Sequence, residues 1–378
     1  MDQNIKAIGG PPSGKRSPIP QLDTIRVVAM LGIFLHHLWK TVIPSPQGLA
    51  QNILDPVFDS ASDGVILFNI ISGFLIALPY LGAERRPFSG YPAFLRKRFL
   101  RILPPYYIAL LCFTAANILH FGYHVPAAMD LLLQHVLFVN SLNYSNMLTN
   151  FSHFWYLGQL AQFYLLFPFI LPIFQRIGPM MAAVSLCALC WGGWLLVGVP
   201  QIPESYPSFA ENLMHFNLPG RLPEFAVGMW LASIWDPSAG SRYRRIFDTG
   251  FSVFSGAMVL YLVVGAAFLS AMNIAFLHVY HVALSLVLFL FLLMWAPAQK
   301  AGKTFLVRNI AAHSYSIYIV HHPIFSYAGV MPSTVTHSIG NFVLLAVLVF
   351  PLCWLAALVL DLLSFLLADK FSKAGKGP

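Results

Sequence analysis

Residues Gly64 to Ala83, GVILFNIISGFLIALPYLGA, contain no charged side chain. A run of about 20 apolar residues is long enough to cross the hydrocarbon core of a bilayer as an α-helix. Comparable uncharged runs extend over 102–129, 177–203 and 249–299, and the last is long enough for two crossings. The chain of 378 residues is 58% hydrophobic and 10% charged, whereas about a quarter of a soluble domain is charged. The sequence therefore predicts an all-α, polytopic membrane helical bundle and excludes a soluble or disordered chain.

Ten transmembrane helices are predicted, centred near residues 33, 73, 110, 164, 188, 228, 260, 285, 320 and 351. The positive-inside rule favours cytoplasmic termini, since all but Lys40 and Arg221 of the 22 Lys and Arg residues then lie on the cytoplasmic side. The apolar stretch 131–139 is too short to cross, so we expect it to lie at the membrane surface or to re-enter it.

The net charge of +8 arises from basic residues at the ends of the apolar runs, which predicts helix orientation and no nucleic-acid partner. The predicted organisation is a flexible cytoplasmic tail over 1–20, a membrane domain over 21–368 and a basic cytoplasmic tail over 369–378. Cys187 and Cys190 form a CxxC inside an apolar run, without the spacing of a zinc site. We therefore expect no metal and no disulfide.

Two ionisable residues of the first predicted helix share one face. Arg26 and His37 are eleven residues apart, which is almost three turns and about 16 Å along a helix. His36 points some 80° away, so His37 is the histidine aligned with Arg26. Either Arg26 faces the protein interior with His37, or Arg26 reaches to the headgroups and the histidines merely pack.

Arg98 and Arg101 are three residues apart at the cytoplasmic end of the third predicted helix. Their planar guanidinium groups are suited to hold phosphate in two parallel hydrogen bonds, so the pair suggests a polyanionic ligand. The alternative is that they only anchor the helix or bind anionic lipid.

Other polar side chains also lie within apolar runs. Gln159 and Gln162 are expected to find partners inside the bundle. Arg221 and Glu224 are positioned to pair with each other, and His321 lies deep in a later helix. A neutral imidazole can act as a general base or relay protons. These residues fit a membrane enzyme with an anionic cytoplasmic substrate, and fit a proton-coupled transporter or exporter of a glycan or small anion nearly as well.

Six short motifs occur along nearly the whole chain. They are Leu22-Asp23-x-x-Arg26 followed by His37, Ser72-Gly73-Phe74-Leu75-Ile76, Arg98-x-x-Arg101-Ile102-x-Pro104-x-Tyr106, Gln162-Phe163-Tyr164-Leu165-Leu166-x-Pro168, Glu224-Phe225-x-x-Gly228-Met229, and Ser314-Tyr315-Ser316-x-Tyr318-x-x-His321-x-Pro323. In content and order they resemble the signatures of the acyltransferase-3 family, whose integral membrane members acylate cell-surface sugars.

The resemblance implies an O-acyltransferase of the cell inner membrane. It would move an acyl group, usually acetyl, from cytoplasmic acyl-CoA (acetyl-CoA) to a hydroxyl of a cell-surface polysaccharide or lipid-linked glycan. Arg98 and Arg101 would hold the coenzyme A phosphates, and Arg26 would position the donor. His37 would be the catalytic histidine, with His321 in a supporting role.

The chain departs from the family pattern at Leu160 and Ala161, where many members carry two glutamates. The resemblance therefore predicts that another group handles the acceptor or relays the proton. The candidates are His153, Gln159, Gln162, Tyr164 and Glu224. A third hypothesis follows from the missing carboxylates, namely a non-catalytic subunit of a polysaccharide export complex.

Overall fold

The computed structural model describes residues 19–374, apart from 47, 84, 89, 143–150, 198–208, 236–273 and 328–336. Every regular element within these residues is a helix, which confirms the predicted all-α class. The helices are α1 (Pro20–Val42), α2 (Leu49–Ser60), α3 (Gly64–Leu81), α4 (Tyr91–Phe121), α5 (Val125–Val136), α6 (Trp155–Ile177), α7 (Pro179–Val197), α8 (Phe209–Phe216), α9 (Leu218–Ile234), α10 (Ile274–Met294), α11 (Ala296–Ala301), α12 (Phe305–Tyr327) and α13 (Ile339–Ala374). Short 3₁₀ turns cover Ala61–Asp63, Asn140–Leu142 and Ser152–Phe154.

Six helical segments among the described residues are long and apolar enough to cross a membrane. They are Pro20–Val42, Leu49–Leu81, Tyr91–Phe121, Ser152–Ile177, Pro179–Leu196 and Ile339–Ala368. The chain is therefore a multi-pass membrane protein.

The count of ten crossings stays a prediction. Near the predicted centres 228, 285 and 320 the structure has helices α9, α10 and α12, which are not among the six. The residues His278–Met294 of α10 form a shorter apolar helix. The centre near residue 260 lies outside the described residues, as does most of the predicted tail over 1–20. In the predicted tail over 369–378, helix α13 continues to Ala374 and the last four residues lie outside the described part.

Residues 131–136 of the short apolar stretch before Asn140 belong to α5, a helix of 12 residues that ends at Val136. At 1.5 Å per residue α5 is about 18 Å long, well below the roughly 30 Å of a hydrocarbon core. The hydroxyl of Tyr106 in α4 donates to the His135 carbonyl near the end of α5 over 2.9 Å. The short helix is thus attached to α4 and does not span, as predicted.

Helices α3 and α9 are in direct backbone contact. A Cβ atom on Gly73 would lie 2.3 Å from the Phe225 carbonyl oxygen, and one on Gly228 would lie 2.2 Å from that of Ile70. Glycine is required at both positions because any side chain would separate the helices. The Phe225 ring also stacks on Phe163 of α6 at 3.7 Å between centroids. This packing holds α3, α6 and α9 together.

Helix α1 lies at the centre of the described bundle and contacts α3, α12 and α13. The Phe34 ring packs edge-on against Phe325 of α12 and Phe350 of α13, at 5.3 Å from each centroid. His37 is three residues beyond Phe34 and so lies on nearly the same face of α1. This packing turns His37 toward α12.

Candidate active site

Four of the predicted site residues, namely three arginines and Tyr164, line one cavity of about 520 Å³, here called the arginine cavity. Arg26 comes from α1, and Arg98 and Arg101 come from α4. The other polar or ionisable lining residues are Ser72, Tyr156, Tyr164, Ser314, Tyr315, Ser316, Tyr318 and Asp361. Of the two alternatives for Arg26, the structure has the one in which its side chain faces the protein interior, and Tyr164 lies in the same wall.

The three arginines differ in how they are held. Arg26 Nη1 donates to Asp23 Oδ1 at 2.7 Å, whereas Arg98 lies over the Phe94 ring at 5.6 Å from its centroid. The Nε atom of Arg98 is buried and has no hydrogen-bond partner among the described residues. Arg101 is exposed as well as lining the cavity. A buried donor without an acceptor beside two further guanidinium groups is an arrangement that suits an anionic ligand.

Four imidazoles form a second polar centre, here called the histidine cluster: His37, His153, His321 and His322. His37 Nδ1 lies 2.8 Å from His321 Nε2, and the two rings are almost parallel at 5.1 Å. The ring centroid of His322 is 5.4 Å from that of His37, and the ring centroid of His153 is 5.0 Å from that of His321 and 5.3 Å from that of His322. Residues from α1, α12 and the turn before α6 thus meet at one point.

The hydrogen bonds of the histidine cluster determine its tautomers. His321 Nδ1 lies 2.7 Å from the Tyr318 carbonyl oxygen, and a carbonyl only accepts, so Nδ1 carries the proton. In the neutral ring, His321 Nε2 is then an acceptor and takes the Nδ1 proton of His37. This leaves His37 Nε2 with a lone pair, on a side chain that keeps part of its surface accessible. His37 is therefore oriented as a base.

His36 has a separate environment. Its Nδ1 donates to the Phe58 carbonyl over 2.9 Å and lies 3.8 Å from Asp59 Oδ1. The ring of His36 therefore points toward α2, while that of His37 points toward α12. Of the two neighbouring histidines, His37 is therefore the one that belongs to the histidine cluster.

Tyr318 borders both the arginine cavity and the histidine cluster. Its side chain lines the cavity, and its ring lies 5.6 Å from His321 and 5.4 Å from His153. Its hydroxyl donates to the His153 carbonyl over 2.5 Å. His37 is not among the residues that line the cavity, so the Tyr318 side chain stands where the two centres meet.

Glu224 lies in a different cluster, here called the Glu224 network: Asn69, Arg221, Glu224 and His278. Glu224 Oε1 accepts from Arg221 Nη1 and from His278 Nε2, both over 3.0 Å. Asn69 Nδ2 donates to Glu224 Oε2. The Glu224 side chain is completely buried. The predicted pairing of Arg221 with Glu224 is confirmed. Glu224 does not line the arginine cavity and does not belong to the histidine cluster.

The two glutamines of α6 behave differently. Gln162 Nε2 donates to Asn217 Oδ1 over 2.8 Å, and Gln162 Oε1 accepts from the Leu218 amide over 2.9 Å. Gln159 is completely buried, yet neither atom of its amide has a partner among the described residues. The expectation of a partner is therefore confirmed for Gln162, while for Gln159 the described residues contain none. A spacing of three residues turns Gln159 about 60° around α6, away from Asn217.

Asp361 of α13 lines the arginine cavity but was not among the residues predicted for the site. Ser316 Oγ donates to Asp361 Oδ1, and His313 Nδ1 donates to Asp361 Oδ2. Asp361 is the one charged residue in the apolar run 339–368. An isolated carboxylate in a spanning helix is a signal of function that could have identified it from sequence alone.

Comparison with known proteins gives matches over most of the chain. The chain is 25% identical over 328 residues to the O-acetyltransferase OatA of Staphylococcus aureus (strain NCTC 8325 / PS 47), which covers 81% of this chain and 50% of that protein. It is 24% identical over 335 residues to the putative O-acetyltransferase SACOL0978 of strain COL, covering 82% of this chain and 51% of that protein. The chain thus spans about half the length of these curated relatives. No solved structure gives a significant match.

The family assignment rests on an independent comparison. A sequence model described as an acyltransferase domain matches residues 19–358, which include all six motifs and every residue of the histidine cluster. The chain belongs to the acyltransferase-3 family.

Proposed function

We propose that this chain is a membrane O-acetyltransferase. It takes an acyl group, with acetyl as the preferred one, from acyl-CoA on the cytoplasmic side of the cell inner membrane. The acceptor is a hydroxyl of a cell-surface polysaccharide or of a lipid-linked glycan. Membership of the acyltransferase-3 family supports this proposal, as do the relatives named O-acetyltransferases.

The observation that carries the proposal is the hydrogen-bonded pair of His37 and His321 beside the arginine cavity. A general base needs a lone pair at the reacting atom and a third group that fixes its tautomer. His37 Nε2 provides the lone pair. The hydrogen bonds from His37 Nδ1 to His321 and from His321 to the Tyr318 carbonyl fix the His37 tautomer.

The arginine cavity takes the donor. Arg98 and Arg101 hold the phosphates of coenzyme A, because guanidinium groups bind phosphate oxygens with two parallel hydrogen bonds. Arg26 positions the donor farther along α1. Since Arg26 and His37 are about 16 Å apart along the helix axis, the acyl arm extends from the arginines toward His37. It passes Tyr318, which contacts both centres.

In the transfer step the acceptor oxygen attacks the thioester carbonyl carbon while His37 Nε2 takes the hydroxyl proton. A carbon–oxygen bond forms and the carbon–sulfur bond breaks. The His37 imidazolium then gives its proton to the departing thiolate. The products are an O-acyl ester and the free thiol of coenzyme A, and His37 returns to its neutral form.

The two glutamates common in the family are absent here, so another group assists the acceptor. Among the five candidates, His153 is the one that belongs to the histidine cluster. Its Nε2 donates to the Ile319 carbonyl over 3.0 Å, and its buried Nδ1 has no partner among the described residues. His153 Nδ1 is thus the proposed acceptor of a hydrogen bond from the incoming sugar.

The test compares surface glycans from cells that carry the gene with those from cells in which it is deleted. We expect alkali-labile acetyl esters to be lost on deletion and restored by the wild-type gene. The His37→Ala gene should not restore them, whereas the His36→Ala gene should, because His36 hydrogen-bonds elsewhere. Unchanged esters after deletion would contradict the proposal.

Proteoliposomes distinguish the enzyme from the transporter alternative. The purified protein is reconstituted with labelled acetyl-CoA on one side and a lipid-linked glycan extract in the membrane. We expect label in the glycan as an alkali-labile ester. Glycan or anion flux driven by a pH gradient, without covalent transfer, would support the transporter instead.

A further inference from the structure

The arginine cavity contains one carboxylate that the proposed chemistry does not use. Asp361 lines the cavity, and its side chain is 30% exposed. It interrupts an otherwise uncharged run of α13. Ionisable side chains inside spanning helices are costly and usually have a functional partner. Asp361 therefore needs an explanation beyond the packing of α13.

The hydrogen bonds of Asp361 leave it able to accept more. Ser316 Oγ donates to one carboxylate oxygen and His313 Nδ1 donates to the other. An ionised carboxylate offers about four acceptor sites, so about two remain. Because both neighbours donate to Asp361, His313 does not deprotonate Ser316. This excludes a Ser–His nucleophile here and leaves a fixed acceptor that faces the cavity.

A carboxylate is unfavourable in a site that only binds anions. Arg26, Arg98 and Arg101 attract any polyanion, including pyrophosphate or a phospholipid headgroup. Asp361 repels each of them. The combination favours a ligand that carries phosphates at one end and uncharged N–H donors elsewhere. A thioester of coenzyme A has this pattern, with an adenine amine and two amide N–H groups besides its phosphates.

We propose that Asp361 accepts a hydrogen bond from an uncharged N–H group of the acyl carrier and so makes the arginine cavity prefer a nucleotide thioester over other polyanions. This inference rests on the proposed donor site. Asp361 is a specificity residue of that site, held in place by His313 and Ser316.

The test measures binding to the purified full-length protein in detergent, for the wild type and for Asp361→Asn. The ligands are coenzyme A, 3′,5′-ADP and inorganic pyrophosphate. We expect Asp361→Asn to bind coenzyme A about tenfold more weakly, because the N–H group then donates to a neutral amide oxygen instead of a charged carboxylate. It should bind pyrophosphate more tightly, because a repulsive charge is removed.

Asp361→Asn is expected to change the two affinities in opposite directions, weaker for coenzyme A and tighter for pyrophosphate. Coenzyme A binding that tightens in parallel with pyrophosphate binding, or that does not change, would overturn the role of Asp361. With 3′,5′-ADP, weaker binding identifies the adenine amine as the donor, and unchanged or tighter binding identifies the amides of the acyl arm. Absence of coenzyme A binding to the wild type would instead overturn the proposed function.

A matched variant separates specificity from packing. Trp354→Phe removes the hydrogen bond from Trp354 Nε1 of α13 to Asn309 Oδ1 of α12 but keeps Asp361 and both of its partners, and neither Trp354 nor Asn309 lines the cavity. We expect it to lower thermal stability while keeping the preference for coenzyme A over pyrophosphate. The same loss of preference in Trp354→Phe would mean that Asp361 acts only through packing. Asp361→Ser repeats the binding test if Asp361→Asn unfolds in the thermal scan.

Discussion

The histidine cluster and the Glu224 network are both buried polar groups in one helix bundle, but their hydrogen bonds are arranged differently. In the Glu224 network both carboxylate oxygens accept from Arg221, His278 or Asn69, and Glu224 is completely buried. In the histidine cluster His37 donates to His321, and His321 donates to the Tyr318 carbonyl. His37 Nε2 therefore keeps a lone pair on a partly accessible side chain.

This difference distinguishes a structural role from a chemical one. A buried carboxylate paired with a guanidinium group and two further donors holds helices together and has little to offer a substrate. An imidazole can take a proton when one nitrogen holds its own proton in a hydrogen bond and the other nitrogen keeps an unused lone pair. The arrangement of donors and acceptors is more informative here than burial or residue type. Substitutions in the two clusters should therefore have different effects on turnover and on stability.

The largest effect is expected for His37→Ala. Removing a general base lowers turnover by about a hundredfold to ten-thousandfold. The measurement is the rate of acetyl transfer in proteoliposomes, with His36→Ala as the neighbouring control. Equal losses in the two variants would remove the distinction between the two faces of α1.

A smaller loss is expected for His321→Phe, which keeps an aromatic ring but cannot accept from His37 Nδ1. Turnover should fall about tenfold to a hundredfold, less than on loss of the base itself, while the KM for the donor changes little. The pH dependence of turnover should shift as well, since the His37 tautomer is no longer fixed. A change confined to thermal stability would show that His321 only packs.

Arg98→Ala and Arg101→Ala should each raise the KM for acetyl-CoA by about tenfold, since a charge-assisted hydrogen bond to phosphate contributes about 1.5–3 kcal/mol. Lys97→Ala is the matched control, because Lys97 is exposed on the same helix and does not line the cavity. An equal rise in KM for Lys97→Ala would mean that the cavity acts only through general positive charge.

The smallest effect on turnover is expected for Glu224→Gln, and its effect on stability should be large. Loss of the charge leaves Arg221 without its ion-pair partner, and breaking a buried pair costs about 3–5 kcal/mol. The measurements are thermal unfolding and turnover per folded protein. A well-folded Glu224→Gln variant with low turnover would move Glu224 from the structural network to the reaction.

Much of this arrangement could be predicted from sequence because it depends on local periodicity. The all-α class follows from apolar run length, and the choice of His37 over His36 follows from 3.6 residues per turn. Spacing within α6 did not distinguish Gln162, which pairs with Asn217, from Gln159, which has no partner among the described residues. Asp361 was not predicted as a site residue; it lies 45 residues after Ser316 in the chain and beside it in the fold.

Several membrane crossings and the side chains that share a helix face can be predicted from sequence alone, because both are properties of single helices. The contact of His37 with His321, 284 residues later, and the separate network of Glu224 are visible only in the folded protein. Hydrogen bonds between helices depend on how the helices pack, for example on the backbone contact between α3 and α9 and on the contacts of the Phe34 ring with α12 and α13. No periodicity within one segment encodes which segment becomes its neighbour.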